Sequence, residues 1–245
     1  MLISVKEINF VLRFKPNVIL HVGAHKAEES FEYEKYEWGR EKIIWVESQK
    51  NLTQFLQTLF LTKSNYQVIQ ATVWDHSGLE KTFYHTSNSQ SSSLFSLGNH
   101  LNYFPEIVET YSEKVTTVRL DEILDKRSRI DFVNLDLQGS ELQALKSLGN
   151  MLQNIKVIYT EVNRSDVYIG CSKIWEIDEY LSGYGFRRIA TRWAFEQDWG
   201  DALYTRNSNM ILILYFKFIN IFQLLTTNVR YKLHAFKEQF LKSND

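Results

Sequence analysis

The sequence predicts a doubly wound α/β domain on a mostly parallel sheet, and three observations lead there. Short apolar runs rich in Val and Ile alternate with longer segments of helical period. The first run, Val18–Val22, feeds straight into a glycine turn at Gly23 and then a polar helical stretch. The second, Lys42–Glu47, ends on a carboxylate, where an acid in such a sheet accepts the ribose hydroxyls of a bound nucleoside.

Taken in order, Val18–Val22, Lys42–Glu47, Tyr66–Gln70, Ile130–Asp136, Lys156–Val162, Gly185–Ala190 and Asp201–Arg206 are expected as strands. Their composition suits burial on both faces, as βαβ crossovers impose. Helices are expected over Glu28–Trp38, Asn51–Leu61, Ser140–Leu148 and Lys173–Gly183; Leu142, Leu145 and Leu148 recur at three-residue spacing along one of them. Two segments interrupt the alternation. Residues 78–118 combine a strand-like Leu79–His85 with a polar tract, Thr86–Ser93, and read either as a solvated surface loop or as an acceptor lid. Beyond Arg206, an apolar stretch over Met210–Leu225 leads into the more basic Arg230–Lys242, but Lys217, Asn220 and Gln223 keep it short of a spanning segment. The expected division is a domain over 1–206 and a helical tail over 207–245. The tail packs on the domain or pairs two copies as a homodimer, with weak association to a membrane surface as the other reading.

Composition removes several function classes. With 28 basic against 29 acidic residues, the net charge of −1 offers no footprint for nucleic acid. The single cysteine, Cys171, excludes an intrachain disulfide framework and any multi-cysteine metal site, and suits a reducing cytoplasm. The first residues lack the basic segment, apolar core and cleavage site of a secretory signal, so a cytoplasmic location is expected. No metal is expected.

Four places carry candidate chemistry. Gly23 and Ala24, preceded by His21, form a turn where a cofactor approaches the backbone closely; the turn lacks the full G-x-G-x-x-G, which argues against a dinucleotide. Glu47, followed by Ser48, is the ribose ligand, or else an acid that merely flanks a strand end. Asp136 projects from the fourth strand toward the same crevice, where it faces the cofactor, orients an acceptor or takes a hydroxyl proton. Glu161 and Asn163 end the next strand, as catalytic or as structural hydrogen-bonding groups. His25, directly after the glycine turn, is the most attractive histidine base, against a helix-start role; His85 and His100 are further candidates. The tract with His85, Asn88, Ser91, Ser92 and Ser93 offers hydrogen-bonding groups suited to a polyhydroxylated acceptor.

Val-Gly-Ala-His at 22–25, Trp-Val-Glu at 45–47, Ser-Ser-Ser at 91–93, Arg-Leu-Asp at 119–121 and Asp-Leu-Gln-Gly-Ser-Glu-Leu at 136–142 resemble the FkbM-like methyltransferase family, in that order. The likeness runs from about Val18 to Arg206 and is carried most specifically by the last motif. It implies a Rossmann-like class I methyltransferase fold with a seven-stranded sheet whose last strand is antiparallel. It implies S-adenosylmethionine as methyl donor and a hydroxyl of a sugar, glycan or natural product as acceptor. Carried over, Gly23 and Ala24 match the cofactor turn, Glu47 the ribose acid, and Asp136, Gly139 and Glu141 the late motif. His21 stands where many members have an acid, and Lys26-Ala27-Glu28 replaces a second glycine. The rival reading is a non-catalytic binding or scaffold protein that uses the apolar tail, favoured by that altered turn and opposed by the retained Glu47 and Asp136.

Overall fold

Ser4 opens the first helix, α1 (Val5–Val11), through a reciprocal cap: its hydroxyl accepts the Glu7 amide N–H while the Glu7 carboxylate accepts the Ser4 amide N–H. This element of the computed structural model, which describes residues 1–12, 14–194 and 196–206, precedes the alternation read from the sequence. Then follow β1 (Val18–Val22), α2 (Ser30–Lys35), β2 (Lys42–Glu47), α3 (Lys50–Leu59), β3 (Tyr66–Gln70), β4 (Thr72–Val73), β5 (Glu80–Thr86), α4 (His100–Tyr103), β6 (Glu109–Val118), α5 (Leu120–Ile123), β7 (Phe132–Leu135), α6 (Glu141–Ser147), β8 (Val157–Asn163), α7 (Ile174–Ser182), β9 (Arg187–Trp193) and β10 (Trp199–Thr205). The expected tail over 207–245 lies outside the described residues.

Seven strands form the main sheet in the order β3-β2-β1-β7-β8-β10-β9. All neighbouring pairs from β3 to β8 are parallel, and β10 runs antiparallel to both β8 and β9. This is the doubly wound sheet with an antiparallel last strand that the sequence and its resemblance imply. The order reverses between β1 and β7, so the loops after these strands diverge and leave a crevice at their carboxyl ends.

Alternation along the strands sorts two different layers. Leu20, Val22, Ile44, Val46, Val133, Leu135 and Ile158 join an aliphatic cluster with Leu142 and Leu145 of α6 and Ile177 and Leu181 of α7. On the opposite face His21, Trp45 and Phe132 meet Tyr33 and Trp38, with Phe60 stacked on Trp45 at 5.7 Å between ring centroids. Burying one Phe- or Leu-sized side chain contributes roughly 1.5–3 kcal/mol, so these layers are the principal source of stability.

Several boundaries shift for local reasons. The helix expected over Glu28–Trp38 contracts to Ser30–Lys35, because Ala27 (φ 55°) and Glu37 (φ 60°) adopt left-handed backbone on either side. Residues 78–118 are neither a plain solvated loop nor polar throughout: β5 and β6 pair as an antiparallel hairpin, and β4 joins β6 in a three-stranded sheet. The Arg-Leu-Asp motif fastens this unit. Arg119 grips Asp121 with two nitrogens at 2.9 and 2.7 Å and reaches the Lys146 and Ser147 carbonyls at the end of α6.

Candidate active site

Gly23 must be glycine, for a reason the sequence did not show. Its φ is 83°, and a Cβ there would stand 1.7 Å from the Asp136 carbonyl oxygen. The close approach is to the neighbouring strand end, not only to a ligand. It brings the turn after β1 against the turn after β7, and the Asp136 N–H bonds the Val22 carbonyl at 3.0 Å.

At the end of β2, Glu47 is buried and accepts two backbone N–H groups, from His25 at 2.8 Å and from Gln49 at 2.8 Å. Burial pushes its carboxyl above the usual range, and these N–H groups pull the other way. A carboxylate offers about four lone-pair sites, so two remain for a pair of vicinal hydroxyls. His25, at φ 45°, connects this turn with the inserted hairpin: Nδ1 lies 2.8 Å from Glu28 Oε1 and Nε2 lies 2.9 Å from Ser89 Oγ. Burial raises the Glu28 carboxyl, but its bonds to His25 and backbone N–H groups outweigh that and hold it at about 2.

The ends of β7 and β8 carry the other charged group. Asp136 is exposed in the crevice, whereas Glu161 is buried behind it. Gln138, held at φ 53°, joins the two: its Nε2 donates to Asp136 Oδ1 at 2.5 Å and to Glu161 Oε2 at 2.7 Å, and its Oε1 accepts the Tyr168 hydroxyl. Burial, then the negative charge of Asp136, pushes Glu161 well above the normal carboxyl range. Glu161 is thereby held toward its neutral form behind the exposed Asp136. Glu141 is completely buried; its Oε1 accepts the Leu137 and Gly139 N–H groups while Oε2 has no partner, and burial lifts its carboxyl to about 7.

Apart from Glu141, these groups share one cleft of about 670 Å³, within the range of small-molecule sites. It is lined by Gly23, Ala24, His25, Glu47, Ser48, Asp136 and Glu161, as the sequence suggested, and by Asn88, Ser91 and Ser92 from the hairpin. Two of the expected acceptor residues are elsewhere. His85 stacks on Tyr111 at 4.1 Å and bonds Glu113 at 2.8 Å, within the hairpin itself. Ser93 is absent from the lining: its hydroxyl donates to the Gln138 carbonyl at 2.8 Å and accepts the Phe95 N–H, pinning the hairpin to the β7 turn. His21 borders the cleft, but its ring is 4.7 Å from Trp45 and its Nδ1 is 3.3 Å from the Tyr33 hydroxyl, so it belongs to the aromatic layer. Asn163 is fully buried and does not line the cleft. Gln138, Gln49, Thr72 and Tyr168 line it without having been singled out. Gln138 lies inside the late motif and was readable there; Tyr168 sits in an irregular stretch with no pattern to mark it.

A doubly wound sheet with a glycine turn after β1, an acid ending β2 and acids at the carboxyl ends of β7 and β8 is the arrangement of an α/β domain that holds a nucleoside cofactor. Residues 21–188 match the methyltransferase FkbM domain, and the chain belongs to that family of methyltransferases, whose methyl donor is S-adenosylmethionine. The methyltransferase FkbM from Methylobacillus flagellatus KT shares the fold at 15% identity with a TM-score of 0.55, over 83% of this chain and 47% of that one. The chain thus spans about half the length of that protein. Magnesium protoporphyrin IX methyltransferase (ChlM) from Synechocystis PCC 6803, solved with bound SAM, matches at 9% identity and a TM-score of 0.47, over 84% of this chain and 79% of that one. TrmK from M. capricolum, solved with S-adenosyl-homocysteine, matches at 12% identity and a TM-score of 0.43, over 85% and 70% respectively. No curated protein matches the chain significantly. No helix among the described residues is long and apolar enough to cross a membrane.

Proposed function

We propose that the protein is an O-methyltransferase that moves the methyl group of S-adenosylmethionine to a hydroxyl of a sugar, glycan or natural product. The observation that carries this reading is the pairing, in one cleft, of a ribose-type acid with an accessible carboxylate backed by a proton-holding one: Glu47 across the turn from Asp136 and Glu161.

The residues present fit the donor. The Gly23–Ala24 turn presents backbone, Glu47 keeps lone pairs for the ribose hydroxyls, and Ser48 with Ala71, Thr72 and Val73 supplies a wall of small side chains where a nucleobase fits. When bound, the donor supplies a methyl group already activated on a sulfonium. The protein's own task is alignment, which contributes roughly 7–11 kcal/mol in favourable cases, and removal of one proton. Asp136 is the base: its carboxylate accepts the hydroxyl proton as the oxygen takes the methyl, a contribution of about 10²–10⁴-fold. Glu161, neutral, and Gln138 hold Asp136 in place without adding a second negative charge beside it.

Calorimetric titration with S-adenosylhomocysteine tests the donor site. Wild-type protein is expected to bind saturably, and Glu47→Ala to lose at least about tenfold in affinity, since hydrogen bonds to a charged group contribute about 1.5–3 kcal/mol. No binding by folded wild-type protein would sink the reading in favour of a scaffold role.

A further inference from the structure

On the acceptor side, the cleft wall is built by β5 and the segment that joins it to β6: Phe83, Asn88–Ser92, His100, Phe104, Glu106 and Ile107, together with Tyr168 and Trp199. Its side-chain charges are acidic: Glu106 stands on this wall, Asp136 lies in the same cleft, and no lysine or arginine lines the cleft among the described residues, although the Met1 ammonium, 3.7 Å from Glu29, also borders it. Glu106 is exposed and makes no ion pair among the described residues, yet it lies near enough to His100 to favour that ring's cationic form. Burial outweighs that influence and lowers His100 below the ordinary imidazole range, so the histidine supplies no compensating charge.

A second observation is independent of the carboxylates. His100 is 5% exposed; its Nε2 lies 3.2 Å from the Ser91 hydroxyl, whereas its Nδ1 has no hydrogen-bond partner. A buried imidazole nitrogen left unpaired costs about 1–3 kcal/mol, which a hydrogen-bonding group brought within its reach recovers. Around it, Phe104 and Tyr168 present aromatic rings, with centroids 5.2 and 5.6 Å from that of His100. Aromatic faces beside carboxylates attract a desolvated cation and give a phosphate or carboxylate nothing to bind.

We propose that the acceptor is a polyhydroxylated amine, of the chemical class of an amino sugar, whose ammonium group is held between Glu106 and the aromatic rings of Phe104 and Tyr168 while one of its hydroxyls faces Asp136. This rests on the methyltransferase reading above. The same carboxylates keep the amine protonated, so its nitrogen has no lone pair to offer and the hydroxyl oxygen is the nucleophile. Phosphorylated sugars, nucleotide sugars and uronic acids are rejected by the charge of the rim, before shape is consulted.

The test uses the full chain saturated with S-adenosylhomocysteine and three probes of matched length: a glucosamine oligosaccharide, its N-acetylated counterpart and a glucuronate oligosaccharide. Calorimetry at low salt is expected to show the glucosamine oligomer binding at least about tenfold more tightly than the acetylated one, with raised salt eroding the difference. Glu106→Gln, at an exposed position, is expected to weaken the amine probe about threefold or more and to leave S-adenosylhomocysteine affinity within twofold. Equal or tighter binding of the acetylated or glucuronate probe, binding of none of the three, or indifference of the amine probe to Glu106→Gln overturns the proposal. Failure of the wild-type protein to take up S-adenosylhomocysteine is seen separately and strikes the methyltransferase reading instead.

Discussion

Asp136 and Glu161 stand on adjacent strands, yet they do different things because one faces the crevice and the other is buried. Burial and the charge of Asp136 both favour the neutral form of Glu161, so its proton is present at low pH and leaves as pH rises through a raised value. Wild-type turnover is therefore expected to fall on the alkaline side, as two negative charges come to face each other. Glu161→Gln stays neutral at every pH and should flatten that limb while changing kcat near neutrality by less than about tenfold. Asp136→Asn should cost about 10²–10⁴-fold across the whole profile. A Glu161→Gln enzyme with an unchanged alkaline limb would assign the proton elsewhere. Both acids were legible in the sequence as strand-end carboxylates. Their division of labour was not, since it depends on Gln138 in a left-handed turn and on which acid the fold covers.

The elements explain why motifs that read alike in the sequence separate in space. Ser91, Ser92 and Ser93 form one hydroxyl run, but Ser91 bonds His100, Ser92 accepts the Thr86 N–H at 3.2 Å, and Ser93 holds the β7 turn. The run fixes a hairpin in place more than it offers groups to a ligand. The hairpin is latched to the cofactor turn at its 3₁₀ turn, through Ser89 to His25 and Gln90 to Glu28 at 3.5 Å. A part-buried hydrogen bond of this kind contributes about 0.5–1.5 kcal/mol, or roughly two- to tenfold. Ser89→Ala is thus expected to raise the acceptor KM by that factor and to leave S-adenosylhomocysteine affinity within twofold. Steady-state kinetics beside calorimetry decide it, and a loss confined to donor binding would contradict the latch. That 78–118 departs from the alternating fold was visible in the broken alternation. That it is a β-hairpin was hidden, because β6 is exposed along most of its length and so shows no buried stripe.

For the whole molecule, the buried carboxyls set the pH dependence of stability. Glu141 is raised to about 7 and Asp201 to about 6, each chiefly by burial. A raised folded-state value means that the contribution is complete below the unfolded value, near 4.5 for Glu141, and is lost as pH rises through about 7. Glu7 and Glu28 act in the opposite direction: burial raises them, but hydrogen bonds prevail and hold both at about 2, so their contribution is lost only as pH falls below about 4.5. Thermal stability is therefore expected to peak near pH 5 and to decline toward pH 8, with Glu141 alone accounting for on the order of 3 kcal/mol, or roughly 5–10 °C in Tm. Glu141→Gln keeps the acceptor for the Leu137 and Gly139 N–H groups but cannot ionise, so its melting temperature should vary less with pH and gain on the wild type's toward pH 8. A slope as steep as that of the wild type, in melting curves recorded from pH 5 to 8, would locate the titrating group elsewhere.

The sequence by itself determined the strand order's raw material and the strand-end chemistry. Short apolar runs separated by helical segments allow few topologies, and residues at the carboxyl ends of the strands fall at the crevice whatever the side-chain detail, so Gly23, Glu47, Asp136 and Glu161 could be named. Tertiary structure alone decided what depends on pairing between distant segments. It decided that Gly23 is required by the Asp136 carbonyl, that His21 packs among aromatic rings, and that His85 turns into its own hairpin while His25 reaches across to Ser89. The physical reason is that backbone periodicity is local, whereas burial, proton sharing and steric contact are set by neighbours far away in the chain.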